Sequence, residues 1–87
     1  MFLAIRGPVC RADVPGLVTR ARRMLESGDA FLTCDLSHVA PSAAAIDAVA
    51  RIRVLARRSG CKLRITGAVP ELQAIAEWMG LGDVLMG

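Results

Sequence analysis

With 87 residues, the chain forms one small domain, residues 1–87, near the lower size limit for a self-sufficient core. Hydrophobic residues make up 54% and aromatics 3%, so that core must be aliphatic. The net charge of +3, carried mostly by arginine, is too modest to argue for a nucleic-acid partner.

Mean hydropathy is +0.47, high for so short a chain, which predicts either dense packing or an apolar surface covered by a partner. No apolar run approaches the roughly 20 residues of a membrane span. The opening Met1-Phe2-Leu3-Ala4-Ile5 is too short for a signal-peptide core, and its basic residue follows rather than precedes it. The expectation is a cytoplasmic protein with no membrane partner. Cys10, Cys34 and Cys61 are odd in number, far apart and without a pairing histidine. They argue against a disulfide framework or a metal site, and predict free thiols filling small apolar slots.

Phe2 to Arg6 reads as a first strand, closed by Gly7-Pro8. Asp13 is placed to cap a helix from Val14 to about Glu26, with Pro15 tolerated in its first turn. Val14, Leu17, Val18, Ala21, Met24 and Leu25 recur at helical spacing and define its buried face. Gly28 supplies its C′ position. Ala30 to Cys34 is a second strand, nearly continuous in apolar residues, as expected of a strand covered on both faces. The polar segment after it leads to Ser42, which caps a helix from Ala43 to about Ser59 that Gly60 stops. Lys62 to Thr66 alternates as a third strand, and Pro70 opens a third helix with an inner stripe of Leu72, Ile75, Ala76 and Met79.

Strand alternating with helix across short loops predicts an α/β domain. The sheet is expected to be mostly parallel and three- to four-stranded, with right-handed βα crossovers. A fourth strand would come from Val9-Cys10 or from Val84-Leu85, and an open edge would suit a second copy. The second helix spreads apolar residues beyond one stripe, from Ala43 through Ala56. That breadth means either burial among several neighbours or a docking face. Its arginines Arg51, Arg53, Arg57 and Arg58 fall on different sides without interleaved aromatics, so they do not form a nucleic-acid stripe.

No catalytic constellation is present. His38 is the one histidine and has no paired nucleophile in sequence. Asp35 is the best polar candidate, because ligands bind at the carboxyl ends of parallel strands. Its alternative role is to accept hydrogen bonds from the residues that follow it. No glycine-rich phosphate-binding pattern occurs, so no cofactor is expected.

The order of segments resembles the STAS domain, the family of sulfate-transporter tails and bacterial anti-sigma factor antagonists. Ile5-Arg6-Gly7-Pro8-Val9 is similar to its opening strand and turn, and Thr33-Cys34-Asp35-Leu36-Ser37-His38-Val39 to its central Asp-Leu-Ser loop. The run from Lys62 to Leu72 resembles its closing strand and helix, and Met79 to Leu85 its Gly-Leu-x-x-Val-Leu tail. The resemblance implies a βα superhelical fold that works by binding. Antagonists of this family dock on an anti-sigma factor, often a serine kinase, and phosphorylation at the start of the second helix breaks the complex. Added charge at an apolar interface disfavours docking.

Two departures bear on that switch. In place of the family's Asp-Ser-Ser/Thr-Gly stands Ser42-Ala43-Ala44-Ala45, so the phosphoacceptor position falls on Ala43. Cys10 stands where antagonists often carry an acid. The expectation is therefore a non-catalytic regulatory domain in transcription control, binding an anti-sigma factor or kinase-like regulator and not switched by phosphate at the usual site. Its partner surface is predicted to include Ser37, His38, Ser42, Ala43, Ala44 and Asp47, with Ser42 as a displaced phosphosite candidate. Two alternatives stay open: an oligomeric assembly module, for which a homodimer is the simplest case, and a small-ligand sensor using Asp35, Ser37 and His38.

Overall fold

The structure, a computed structural model, describes residues 1–85. Strands β1 (Phe2–Gly7), β2 (Phe31–Val39) and β3 (Lys62–Thr66) form one parallel sheet in the order β1-β2-β3. Helices α1 (Val14–Leu25), α2 (Ala43–Arg58) and α3 (Pro70–Trp78) alternate with them. The α/β class and the parallel sheet are as the sequence predicts.

The strands are laid down in sequence order across the sheet, so successive right-handed crossovers put their helices on the same face. α1 packs on α2, and α2 on α3. The burial pattern of the strands agrees. Leu3, Ile5, Leu32, Cys34, Leu36 and Leu63 point inward and are buried. Phe2, Arg6, Phe31, Ser37, Lys62, Arg64 and Thr66 point outward and are exposed. The fold therefore has two layers, helices over one sheet face and no element over the other among the described residues. This corrects the expectation that β2 is covered on both faces. The run Ala30 to Cys34 reads as continuously apolar because Phe31 is apolar, yet Phe31 stands on the open side.

The core is wholly aliphatic apart from two cysteines, with no buried polar or charged residue among those described. Leu3, Ile5, Leu32, Leu36, Ile46, Ile52 and Leu72 are its largest fully buried members, each contributing about 1.5–3 kcal/mol relative to exposure. Cys34 and Cys61 fill apolar slots as expected, but Cys10 is exposed. Burial pushes the Cys34 thiol up to about 12, with the adjacent Asp35 charge adding to the effect.

A fourth strand does not form among the described residues. Val84 and Leu85 are buried in a final 3-10 turn, Gly82–Leu85, that packs on α2 and α3. Val9 is buried without pairing as a strand. The start of α1 also differs from expectation. Asp13 stands at the N-cap position but makes no side-chain bond to α1. Its carboxylate instead accepts from the Cys10 amide at 3.0 Å and the Cys10 thiol at 3.1 Å, closing a 3-10 turn, Arg11–Asp13, that runs into the helix.

Candidate functional site

The carboxyl end of β2 and the elbow into α2 hold most of the residues singled out in the sequence. β2 runs to Val39, further than the predicted end at Cys34, and the Asp-Leu-Ser segment is strand rather than loop. Ala4 pairs with Asp35 but Arg6 pairs with His38, so β2 carries one extra residue there. This bulge turns both Ser37 and His38 outward before Val39 returns to the core.

Asp35 organises the end of the strand. Its Oδ1 accepts from the Ser37 amide at 3.1 Å, from the Ser37 hydroxyl, and from the Thr66 hydroxyl at 3.4 Å across the β2–β3 pair. The two Ser37 bonds hold the Asp35 carboxyl below the usual range, with smaller help from Thr66 and His38. Asp35 thus has the structural role, and Ser37 spends its hydroxyl on it. Gly67 follows Thr66 with φ +73°, and a Cβ there would stand 2.7 Å from the Ser37 Cβ and 2.8 Å from the Ser37 nitrogen. Only glycine lets the β3–α3 turn pass so close to the bulge.

The elbow itself is Ala40, Pro41, Ser42 and Ala43. Ser42 caps α2 as predicted, accepting from the Ala45 amide at 3.1 Å, and its hydroxyl donates to the Val9 carbonyl at 3.4 Å. A half-buried hydroxyl engaged on both sides is poorly placed to accept a phosphate. Ala40, Pro41 and Ala43 are exposed, as is His38. Ala44 is not. It is 8% exposed, and Ala45 and Ile46 beside it are sealed in the core. Ala44 is therefore withdrawn from the partner surface, because helical geometry turns it toward the sheet while Ala43 faces solvent. Asp47 is half-buried and binds Arg51 at 3.2 Å, the pair expected one helical turn apart.

The structure brings together residues that the sequence reading kept apart. Phe2, Phe31 and Arg64 share the open sheet face, where the Arg64 guanidinium lies 4.6 Å from the Phe31 ring centre. Their signal was the period-two alternation with Leu3, Leu32 and Leu63. A groove of about 790 Å³ opens between β1 and the start of α1, lined by Ala4, Arg6, Val9, Asp13 and Arg20. It does not reach Asp35, Ser37 or His38. Among the described residues no group of three His, Cys, Asp or Glu is placed to hold a metal ion, and no helix is long and apolar enough to cross a membrane.

No protein-family model matches the chain, and no curated protein matches it in sequence.

Proposed function

We propose that the chain is a non-catalytic protein-docking domain that works as STAS anti-sigma factor antagonists do, engaging an anti-sigma factor or related regulator through the β2–α2 elbow. The observation that carries this reading is the pairing of Ser42 with Ala43. Ser42 spends its hydroxyl on the helix cap and on Val9, and the exposed position beside it carries a methyl group. The elbow is neutral and apolar, through Ala40, Pro41 and Ala43, and its start has no free acceptor for a covalent charge. Docking there would be constitutive, since the charge that disfavours it in a phosphorylated antagonist has nowhere to attach.

The test is affinity capture from the native cell, followed by mass spectrometry. A regulator of the anti-sigma or serine-kinase type is expected with the unmodified chain and is expected to be lost with Ala43→Glu. Recovery that Ala43→Glu leaves undiminished places the contact elsewhere and overturns the elbow. Incubation with candidate kinases should leave the intact mass unchanged. A single phosphate on Ser42 would defeat the constitutive reading.

A second reading, an assembly module, is favoured by a separate observation: every aromatic side chain lies on the surface.

A further inference from the structure

The chain has two phenylalanines, one tryptophan and no tyrosine. Phe2 is 60% exposed, Phe31 44% and Trp78 91%. Aromatic residues are ordinarily the largest contributors to a small core, and when left outside they are the commonest anchors of an interface. Here the core does without them.

The exposed aromatics fall into two groups with opposite electrostatic surroundings. Phe2 and Phe31 stand on the open sheet face among bases. Lys62 is in register with Phe31, and Thr33 lies in register between Phe2 and Arg64. Arg64 stacks on Phe31. The acid of that face, Asp35, keeps its charge but lies toward the far end of the strand, bound by Ser37 and Thr66. Trp78 stands among acids at the end of α3. Glu71, Ala74 and Trp78 are three and seven residues apart, form one exposed stripe, and have exposed Glu77 beside them. Every lysine and arginine of the chain lies at or before Arg64, whereas Glu71, Glu77 and Asp83 follow it.

We propose that copies of this chain associate head to tail, the Trp78 face of one protomer docking on the Phe2–Phe31–Arg64 face of the next. Pairing like with like fails on charge. Sheet face against sheet face brings the bases Lys62 and Arg64 of one copy to a surface carrying the same bases, and α3 against α3 brings Glu71 and Glu77 to a surface carrying the same acids. The unlike pairing matches bases with acids and brings the indole to an arginine already oriented on an aromatic ring. The two faces belong to different layers, the sheet and the helices packed on it. Such a contact is heterologous, so each added copy exposes a fresh face and assembly runs past the dimer unless the rotation closes a ring. The elbow at Ala43 takes no part, and this assembly stands or falls independently of the regulator-docking reading.

Sedimentation velocity over a concentration series up to millimolar, with Trp78 fluorescence recorded alongside, tests it. The average mass is expected to rise beyond that of a dimer, with the emission shifting to the blue, iodide quenching falling and assembly weakening as salt is added. Trp78→Ala is expected to raise the concentration for half-assembly by at least about tenfold. Trp78→Asp and Arg64→Glu should each stay monomeric alone yet form a one-to-one complex when mixed, and nothing larger. Ala43→Glu should assemble as the unmodified chain does. All these positions are exposed, and circular dichroism checks that each variant is folded. A protein that stays monomeric throughout, or a closed dimer whose two variants fail to complement each other, overturns the proposal.

Discussion

Asp35 and Gly67 hold the carboxyl end of the sheet together from opposite sides. Asp35 binds Ser37 along its own strand and Thr66 across to β3, and Gly67 lets the next turn lie against the Ser37 backbone. Gly67→Ala meets two penalties, a left-handed backbone that alanine adopts with strain and a Cβ inside contact distance of backbone atoms. It should destabilise the fold by about 2 kcal/mol or more in urea titration. Asp35 is ionised more readily in the folded chain than unfolded, so its contribution is present above the ordinary carboxyl range and disappears as pH falls through about 4 and below. Asp13, held the same way by Cys10, has the same sign. Melting temperature should therefore drop in acid, and Asp35→Asn should flatten that drop. An unchanged acid profile in Asp35→Asn would remove Asp35 from this role.

At the scale of elements, α2 explains its own composition. Ala44, Ala45, Ile46, Ala48, Val49, Ile52 and Ala56 are all buried, and the helix touches α1, β3, α3 and the final 3-10 turn. A helix with that many neighbours needs a wide apolar surface, and its alanines let neighbours approach closely. The breadth seen in the sequence is thus packing rather than a docking face. Asp47–Arg51 pairs along its surface, and Arg53 reaches the Asp83 carbonyl to tie down the last turn. Two substitutions separate core from cap. Ile46→Ala should cost about 2–5 kcal/mol, because it opens a cavity between sheet and helix. Ser42→Ala should cost about 1 kcal/mol, the usual value of an N-cap bond. Equal losses in denaturant titration would contradict the assigned burial.

For the molecule as a whole, the distinctive fact is a parallel sheet that no element covers on one side among the described residues, whereas such sheets are nearly always covered on both. The helical layer stabilises the fold without help from the aromatics. Phe2→Ser and Trp78→Ser should accordingly change the free energy of unfolding by no more than about 0.5–1 kcal/mol in dilute solution. A loss of several kcal/mol would mean that these side chains are core after all. The open face, the acidic α3 stripe and the neutral elbow are three separate surfaces.

The alternation of strand and helix, the Ser42 cap, the glycine stops and the aliphatic core were all legible in the residues, because each depends on local spacing and on conformational preferences within a turn or two. The elbow was legible as a place but not in its detail. Ala43 and Ala44 look alike in sequence, and which side of α2 faces the core exposes one and buries the other. The bulge at Ser37 and His38 was equally hidden, since an extra residue against β1 is a property of two strands and not of one. Above all, period-two alternation shows that a strand has two faces without saying whether each is covered. That was decided by strand order. Three strands added in one direction, with crossovers of one hand, send α1 and α2 to the same side, α3 joins them by packing on α2, and Phe2, Phe31 and Arg64 are left in the open.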